Sequence, residues 1–406
     1  MSRVLEDVGK EILRKNGVPI PEFRVAASPG EARKAAEELG APVMIKALVP
    51  AGKRGKAGAV KGADDPAQAE GAAREILSRR VGGFPVERLL VERRVEIARE
   101  LYLSITFDPS RQLPVIIAGT EGGVDVEETA RRQPQQLARR HVNILEGLHP
   151  YATKEVWSGL GLKGRSLLAA ADVLWKLYQV FQRYDLTLLE INPLALTARE
   201  EAVAAAVLMA VDDDALGRQP ELSARVEAGS DRAWRPLTPL EREMIAVDQA
   251  DPYRGTARYT EMEGGDIGFF CGGGGGSLLV YDTLVQLGGR PANYTEFGGN
   301  PTEAKVYGLV KGILSKPGVK GFILDINITN NTQTDLVAKG FVRAVKELAI
   351  DRRRFPIVIR LAGVNEPEAR RVLEAAGIEY HGDDITMEDA ARLIIERMKS
   401  ADPQGG

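Results

Sequence analysis

From Asp266 onward the sequence repeats one pattern, in which a short apolar strand is followed by an amphipathic helix. The strand-like segments are DIGFFC, ANYTEF, VKGFILDINI and PIVIRL, with a further short one near IEYHG. Helical segments such as SLLVYDTLVQLG and EAKVYGLVKGILS separate them. Strands joined through helices lie parallel, because each helix carries the chain back across the sheet. The pattern therefore predicts an α/β fold with a doubly wound parallel sheet.

The first 222 residues carry a different mixture of patterns. The segments LYLSITFD and QLPVIIAG flank Pro109-Ser110-Arg111 and predict an antiparallel hairpin. Apolar spacing predicts helices in 4–13, 28–39, 67–79 and most of 137–184, and strands in 42–48, 86–95 and DLTLLEINPLALT. We expect an α+β domain over 1–222, a polar, loop-like connector with one helix over 223–262, and the parallel-sheet domain over 263–401.

Charge and cysteine content exclude several classes of protein. The chain has 54 Lys and Arg against 57 Asp and Glu, a net charge of -3, whereas non-specific nucleic-acid binders need a large basic excess. A single cysteine, Cys271, rules out an internal disulfide framework and a multi-cysteine zinc site. No apolar run is long enough to cross a membrane, so the expected location is the cytoplasm.

A basic loop that contains glycine follows the strand that carries Lys46. The loop, KRGKAG over residues 53–58, has backbone N–H groups that glycine lets approach a phosphate, and Lys and Arg would neutralise its charge. The usual P-loop pattern is absent, and taken alone such a pattern is more commonly a solvated basic surface loop. Glu92 and Glu100 follow, and in a nucleotide site they would accept hydrogen bonds from ribose hydroxyls or an adenine amino group. From their pattern alone we prefer to interpret them as surface carboxylates beside arginines.

A second motif, Glu190-Ile191-Asn192-Pro193, closes the apolar segment LTLLE. A carboxylate and an amide oxygen at a strand end suit Mg²⁺ or a phosphoryl group, because both need hard oxygen or polar partners. The plain alternative is an edge strand that the proline ends. We favour the functional interpretation because the tetrapeptide and its apolar lead-in are distinctive.

Two further motifs follow strands of the parallel sheet. Five glycines, Gly272–Gly276, and Ser277 stand between a strand and a helix, where backbone N–H groups and the helix N-terminus attract anions. The second motif, NITNNTQT over 327–334, also precedes a helix, and helix capping explains only one of its polar side chains. Both motifs predict sites for a small carboxylate or a phosphoryl group. The histidines His141, His149 and His381 have no metal-like spacing, and we expect them to be structural or exposed.

These pieces, in this order, resemble the ATP-grasp subunit of the nucleoside-diphosphate-forming acyl-CoA synthetases. That family includes the succinyl-CoA ligase β subunit, the ATP-grasp subunit of ATP-citrate lyase and the large subunit of citryl-CoA synthetase. The segments that carry the resemblance span nearly the whole chain: KNGVPIPEF, RGKAGAVK, ARELYLSITFD, GTEGGVDVEE, LLEINPL, GGSLLVYDTLVQLGGRPANYTEFGGNPTE and IVIRLAGVNE. The resemblance implies an ATP-grasp domain followed by a flavodoxin-like CoA-ligase domain, whose sequence looks closer to the citrate-handling branch.

The resemblance also implies roles for individual positions. Asn192 matches a magnesium ligand, and Glu190 matches the glutamate that positions a phosphorylated histidine. The positions that match nucleotide contacts are Lys46, Arg54, Gly55, Glu92, Val95 and Glu100. The positions that match the binding site for the organic acid are Gly276, Ser277, Asn330, Thr332 and Arg360.

Three positions depart from the family pattern. Ala206 stands where the family has its second magnesium ligand, an aspartate, and Asp212–Asp214 are the nearest replacements in the chain. Lys53 replaces a glycine of the phosphate loop, as in ATP-citrate lyase. The citrate branch has two consecutive arginines, of which only Arg360 remains here, followed by Leu361. Loss of one guanidinium removes a charge-assisted, bidentate contact to a substrate carboxylate, which costs roughly 1.5–3 kcal/mol of binding free energy. The third departure favours an acid that is smaller or less charged than citrate.

The function that the resemblance implies is that of the ATP-grasp subunit of an ADP-forming acid–CoA ligase, with ATP and Mg²⁺ as cofactors. A small organic acid would be activated through a phosphohistidine and an acyl phosphate and then transferred to CoA. The phosphohistidine and most of the CoA site would belong to a partner, a CoA-binding α-type subunit, because no histidine here has the family's loop around it. Two alternatives stay open: a citryl-CoA synthetase or ATP-citrate lyase subunit, and a catalytically silent subunit that binds ligand or acts as a scaffold.

Overall fold

The computed structural model describes residues 2–52, 54–123, 131, 134–226 and 235–401. Lys53 and the second half of the segment GTEGGVDVEE lie outside the described residues. The chain forms two compact units with a boundary between Pro236 and Leu237. Within the described residues, no helix is long and apolar enough to span a membrane.

The first unit is built on two antiparallel sheets. Its strands, in chain order, are β1 Ser2–Val4, β2 Phe23–Ala26, β3 Val43–Ala47, β4 Val60–Ala63, β5 Arg80–Val81, β6 Phe84–Pro85, β7 Leu89–Arg93, β8 Arg99–Asp108, β9 Leu113–Gly119, β10 Leu137–His141, β11 Leu186–Leu196, β12 Ala202–Ala204 and β13 Val207–Val211. The larger sheet has the order β1-β13-β11-β8-β9-β10 with β12 beside β11, and the smaller has the order β2-β7-β3-β4. Strands β5 and β6 form a separate hairpin. The predicted hairpin of β8 and β9 is confirmed.

Helices cover each of these sheets and close its core. They are α1 Glu6–Lys15, α2 Pro29–Leu39, α3 Pro66–Leu77, α4 Pro150–Gly159, α5 Gly164–Arg183 and the short α6 Pro220–Ser223. Alanines of α2 and α3 pack closely on the smaller sheet, whereas α1, α4 and α5 bury larger side chains against the larger sheet. Local signals set the start of α2, where the Ser28 hydroxyl accepts a hydrogen bond from the Glu31 N–H and Pro29 occupies the first turn.

The second unit is a five-stranded sheet between two layers of helices. Its elements are α7 Pro239–Gln249, β14 Thr256–Glu261, β15 Ile267–Gly272, α8 Gly274–Gln286, β16 Asn293–Gly298, α9 Glu303–Ser315, β17 Gly321–Ile326, α10 Thr334–Glu347, β18 Ile357–Arg360, α11 Glu366–Ala375 and α12 Met387–Ala401. The strand order is β14-β16-β15-β17-β18, and all pairs are parallel except β14 with β16. Helices α9, α10 and α11 cover one face, and α8 and α12 cover the other. The predicted doubly wound α/β sheet is confirmed.

Three local predictions were wrong. The helical region predicted from Leu137 begins with strand β10, and the helices start only at Pro150. The stretch predicted as a loop-like connector contains β14, which pairs with β16 along its whole length. Near IEYHG there is only an isolated bridge between Arg360 and His381. The predicted strand DLTLLEINPLALT is confirmed, because β11 continues past Pro193 through a register shift to Leu196, and the alternative of a strand that the proline ends is excluded.

Candidate functional site

A cavity of about 620 Å³ lies between the two sheets of the first unit. The smaller sheet contributes strands β3 and β7 to its wall, and the larger sheet contributes β8, β11 and β13. All eight residues predicted for nucleotide, metal and phosphoryl chemistry in this unit line it: Lys46, Arg54, Gly55, Glu92, Val95, Glu100, Glu190 and Asn192. The structure therefore brings together residues that are up to 146 positions apart in the sequence.

Lys46 lies at the centre of a buried ionic network. Its Nζ lies 2.6 Å from Glu92 Oε1 and 3.3 Å from Glu6 Oε1, and it donates a hydrogen bond of 2.8 Å to the Ala205 carbonyl oxygen. Lys10 Nζ pairs with the other oxygen of Glu92 and donates to the same carbonyl at 2.9 Å. An ammonium has three N–H donors, so a nucleotide phosphate that binds Lys46 must displace one of these partners.

Arg54 extends the network from the loop after β3. One Nη of Arg54 pairs with Glu6, and the other donates a hydrogen bond of 2.8 Å to the Ala47 carbonyl oxygen. The three cations Lys10, Lys46 and Arg54 face two carboxylates, so the network carries one surplus positive charge. That surplus suits an anionic ligand such as a nucleotide polyphosphate. Gly55 is exposed in the same loop, in which the Gly58 N–H donates to the Gly55 carbonyl oxygen.

Burial and neighbouring charges compete in setting the protonation of this network. Burial by itself raises the pKa of Glu6, but Arg54, Lys46 and Lys10 together hold that pKa well below its usual range. Burial lowers the pKa of Lys10, whereas the attraction of Glu6 and Glu92 outweighs burial at Lys46 and raises its pKa. Glu6 and Lys46 are therefore held in their charged forms.

Glu190 and Asn192 lie on the opposite wall, on β11. The Glu190 carboxylate accepts a hydrogen bond of 3.2 Å from the Tyr102 hydroxyl on β8, and Asn192 Oδ1 accepts one of 2.7 Å from the Gly123 N–H. Gly123 has a φ of 70°, and a side chain there would collide with the Glu100 carboxylate. Only glycine permits this close approach, which places the Gly123 backbone against both Glu100 and Asn192 on the cavity wall.

Ala206 also lines the cavity, so the position that departs from the family pattern faces the ligand space. Its methyl group supplies no oxygen ligand. Among the residues that the structure describes, no cluster of three or more His, Cys, Asp or Glu side chains could hold a metal ion. The predicted replacements Asp212–Asp214 are not among the residues that line the cavity, and the Asp212 carboxylate instead caps the turn at Asp214.

The glycine run of the second unit is more ordered than a loop. Strand β15 includes Gly272, Gly273 adopts a φ of 89°, and α8 begins at Gly274. The Ser277 hydroxyl is buried, with neighbours at 2.8 Å (the Gly274 carbonyl), 2.7 Å (the Tyr294 hydroxyl) and 3.1 Å (the Glu296 carboxylate). A hydroxyl has one O–H to donate, and the Gly274 carbonyl oxygen and the Glu296 carboxylate, which are both acceptors, already compete for it. An acid that binds Ser277 must therefore take the place of Glu296 or Gly274.

The other predicted acid-binding residues lie at the same end of the sheet. A side chain at Gly276 would come within 3.5 Å of Asn327, so the first turn of α8 lies against the loop that follows β17. In that loop Asn330 is exposed, whereas Thr332 is buried and donates a hydrogen bond of 2.8 Å to the Gly299 carbonyl oxygen after β16. The carboxyl ends of three neighbouring strands thus form one crevice, the usual ligand position in such sheets.

Arg360 ends β18 in this crevice and is only 5% exposed. Its Nε donates to the Ile385 carbonyl oxygen at 2.8 Å, and one Nη donates to the Ile326 carbonyl oxygen at 2.8 Å and lies 3.3 Å from Asp325 Oδ1. Burial raises the pKa of Asp325 to about 7 although Arg360 opposes the shift. Leu361, the neighbour of Arg360, is fully buried in the core on the α9–α11 side.

The pKa of Asp325 leads to a prediction about stability. A carboxyl whose pKa rises from 3.8 to about 7 on folding binds its proton more tightly in the folded state, so stability falls as the pH rises through that interval. Asp325→Asn, which mimics the protonated form, is therefore expected to raise the free energy of unfolding by about 2–4 kcal/mol at about pH 8 and to change it little at about pH 4. Urea unfolding at the two pH values measures this, and equal effects at both would contradict it.

The sequence did not reveal Glu6, Lys10, Tyr102 or Asp325 as parts of these sites. Glu6 and Lys10 stand four residues apart on a helix, a spacing that usually indicates an exposed ion pair. Their burial depends on Lys46, Glu92 and Ala205, which only the tertiary fold brings near. Tyr102 and Asp325 lie within apolar strands, and the sequence of such a strand does not indicate which distant residue a single polar side chain contacts.

In the first unit two antiparallel sheets enclose a basic cavity, and a parallel α/β unit follows it along the chain. This combination defines the class of ATP-grasp CoA-ligase chains. The profile of the ATP-grasp domain family matches residues 3–196, and that of the ATP citrate lyase citrate-binding family matches residues 235–393. The chain belongs to the family of succinate–CoA ligase β subunits.

Named relatives support this membership along almost the whole chain. The ADP-forming succinate–CoA ligase subunit β of Rubrobacter xylanophilus is 37% identical over 96% of this chain and 97% of its own. The GDP-forming subunit β of Thermus thermophilus is 36% identical over 97% of this chain and 98% of its own. The ATP citrate lyase of Methanothrix soehngenii, solved with citrate and coenzyme A, superposes with a TM-score of 0.80 at 20% identity, covering 97% and 99% of the two chains. The predicted family, fold and class of enzyme are confirmed.

Proposed function

We propose that this chain is the nucleotide-binding subunit of an ADP-forming ligase that joins a small organic acid to coenzyme A. The observation that carries the proposal is the cavity in which Lys46, Arg54, Glu190 and Asn192 meet between two sheets. The names of the relatives, succinate–CoA ligase subunit β, support the same reaction class. We assign the ATP-grasp domain to the first unit and the CoA-ligase domain to the second.

The proposed reaction has three balanced steps. The γ-phosphoryl group of ATP passes to a histidine nitrogen of a partner subunit, and ADP leaves. A carboxylate oxygen of the acid then attacks that phosphorus, which frees the histidine and gives an acyl phosphate. Finally the thiol of CoA attacks the acyl carbon, and inorganic phosphate leaves as the thiol proton is released. Phosphoryl transfer needs mainly positioning and charge neutralisation, which Lys46 and Arg54 supply in this chain.

The wall of the cavity suits a magnesium ion that arrives together with the nucleotide. Asn192 offers an amide oxygen on the cavity wall, where Mg²⁺ would keep waters and substrate phosphates as its remaining ligands. The Gly123 N–H already orients Asn192 Oδ1. When bound, the ion would neutralise charge on the phosphates. Because Ala206 supplies no ligand, we expect weak binding of the ion in the absence of nucleotide.

Ala206→Asp is expected to tighten metal binding without nucleotide by about tenfold or more, because it adds a carboxylate to the cavity wall. Binding of Mn²⁺ to the purified chain, followed by its electron spin resonance signal, measures the affinity independently of turnover. Ala206→Asn is the matched control, since it has nearly the same size and no charge. Equal Mn²⁺ affinity in all three proteins would contradict the proposed position of the metal.

The proposal includes an α-type partner that carries the phosphohistidine and most of the CoA site. His141 is bonded to Asp108 at 2.7 Å, His149 stacks on Tyr151, and His381 is mostly buried beside Glu379 and Asp384. None of the three lies in the cavity between the sheets. We therefore assign the histidine for phosphoryl transfer to another chain.

Purification of the chain alone and together with its partner tests this division of labour. The pair is expected to release ADP only when ATP, CoA and an acid are all present, whereas the isolated chain releases none. ADP release from the isolated chain that depends on CoA and acid would overturn the proposal.

Citrate is the second candidate acid, because the citrate-binding family profile matches residues 235–393. The fully buried Leu361 weighs against it, since no second guanidinium is available beside Arg360. Turnover of the assembled complex with citrate, compared with succinate, malate and sulfonated acids, separates the two candidates.

A further inference from the structure

One buried carboxylate, that of Glu6, links the two cations that we propose for the nucleotide phosphates. Its Oε1 lies 3.3 Å from Lys46 Nζ, and its Oε2 pairs with an Nη of Arg54. Lys46 belongs to β3 and Arg54 to the loop after it, whereas Glu6 lies on α1, which packs on the larger sheet. A residue from a different part of the first unit therefore holds the two cations together.

The placement of α1 explains how Glu6 reaches these cations. Glu6 lies in the first turn of α1, where the helix N-terminus favours a carboxylate. Gly9 lets the helix approach β13 closely, since a side chain at this position would come within 3.2 Å of Val207. The Glu6 side chain is only 1% exposed and is not among the residues that line the cavity, whereas Lys46 and Arg54 both line it. Glu6 thus contacts the two cations from the side away from the ligand space.

The contact of Lys46 that a phosphate can replace is the one with the Ala205 carbonyl oxygen. Glu92 holds Lys46 Nζ at 2.6 Å with an opposite charge, whereas the carbonyl oxygen is a neutral acceptor at 2.8 Å. Ala205 also lines the cavity. Lys10 donates to the same carbonyl oxygen at 2.9 Å, so this oxygen stays bonded when Lys46 turns to a phosphate. The exchange therefore leaves no buried polar group unsatisfied and keeps Glu6 in place.

We propose that Glu6 is a positioning residue that holds Lys46 and Arg54 side by side for the phosphates, while a phosphate oxygen takes the place of the Ala205 carbonyl oxygen at Lys46. The inference rests on the proposed function and adds a residue to its nucleotide site. Two cations at short range repel each other, and a carboxylate between them offsets that repulsion and fixes both before the nucleotide arrives. Such preorganisation raises affinity, because less order has to be created on binding.

Glu6→Gln tests the proposal, because glutamine keeps the shape but has one acceptor oxygen and a donor NH₂ group, and so can hold only one of the two cations. The positive charge of the network does not build up in this variant. Burial and the charge of Lys46 lower the pKa of Lys10, and Glu6 is one of only two carboxylates named as opposing that shift.

The affinities for a non-hydrolysable ATP analogue and for adenosine are measured by isothermal titration calorimetry on the assembled complex of this chain with its partner. Glu6→Gln is expected to bind the analogue about tenfold or more weakly than the native protein, the effect of losing one charge-assisted contact. Adenosine has no phosphate, and its affinity is expected to stay unchanged.

Asp7→Asn is the matched control. Asp7 is the next residue in the same turn, is only 3% exposed and also faces an arginine, Arg88 at 3.5 Å, but it has no contact with Lys46 or Arg54 among the described residues. The control is expected to leave both affinities unchanged. A general loss of structure would weaken the analogue and adenosine together, whereas the proposal predicts a loss confined to the ligand that carries phosphates.

A double variant shows whether Glu6 acts through Arg54. Glu6→Gln combined with Arg54→Gln removes one carboxylate and one cation, so the network keeps its single surplus positive charge and the variant remains usable where Glu6→Gln alone fails to fold. Glu6→Gln is expected to lower the affinity for the analogue less in the Arg54→Gln background than in the native protein, because residues that act together are not additive. Equal losses in the two backgrounds would overturn the role of Glu6.

The outcomes separate this inference from the proposed function. If the native complex binds neither the analogue nor adenosine, the proposed function itself fails. If it binds the analogue and Glu6→Gln binds it as tightly or more tightly, the nucleotide site stands and the positioning role of Glu6 is overturned.

Discussion

Glu190→Gln is expected to lower kcat of the assembled ligase about 100-fold or more while leaving the KM for ATP nearly unchanged. The proposed role of Glu190 is to orient and charge-stabilise the partner's histidine as it accepts the phosphoryl group. Glutamine keeps the shape and can still bond to Tyr102, which donates to the Glu190 carboxylate at 3.2 Å. It loses the negative charge that stabilises a positively charged imidazole, and losses of this kind cost about 10²–10⁴ in rate.

Rapid-mixing assays with radiolabelled ATP would locate the defect, because phosphorylation of the partner subunit can be followed apart from thioester formation. Glu201→Gln is the matched control, since Glu201 is exposed at the hairpin between β11 and β12 and does not line the cavity. Tyr102→Phe is expected to reduce the phosphorylation rate only a fewfold. It removes one neutral hydrogen bond from Glu190 and leaves the charge in place.

The same experiment distinguishes a catalytic subunit from the alternative of a catalytically silent subunit that binds ligand or acts as a scaffold. Ala206 motivates that alternative, because the cavity has one oxygen ligand fewer than the family pattern. Unchanged activity of the complex in Glu190→Gln would favour a scaffold or ligand-binding role and would contradict the proposed phosphoryl transfer.

The sequence predicted elements that have a strong local signal. The alternation after Asp266 was confirmed because parallel strands buried on both faces are continuous apolar runs that stand out from amphipathic helices. Strand β14, TARYTE, was missed because an edge strand next to a loop has exposed polar side chains and a weak pattern. Strand β10, LARRH, was missed for the same reason, since three of its five residues are Arg or His.

The candidate site was predictable as a set of positions but not as a set of interactions. The eight residues of the first unit that match the family pattern do line one cavity, yet the sequence could not show that Lys46 and Glu92 pair with each other. The register between β3 and β7 and the packing of α1 create that pair, and both are set by contacts distant in sequence. Likewise the burial of Asp325 beside Arg360 depends on the neighbouring strands β17 and β18.

Lys10→Met is expected to destabilise the first unit by about 3–5 kcal/mol and to weaken nucleotide binding by about tenfold. Lys10 has no exposed surface and bonds to Glu92 and to the Ala205 carbonyl oxygen. Methionine fits the space but leaves a buried carboxylate oxygen without its partner, and breaking one side of a buried ion pair has costs of this size. The surplus positive charge of the network also disappears, because two cations then face two carboxylates.

Lys15→Met on the same helix is the control for this prediction. Lys15 also pairs with a glutamate, Glu221, but its side chain is 56% exposed, and surface ion pairs contribute little. Urea unfolding and the binding of a fluorescent ATP analogue are measured for both variants. Lys10→Met is expected to lower both stability and affinity, whereas Lys15→Met changes neither. If Lys10→Met also left both unchanged, Lys10 would contribute neither to stability nor to nucleotide binding, and Lys46 would be oriented by Glu6, Glu92 and the Ala205 carbonyl oxygen without it.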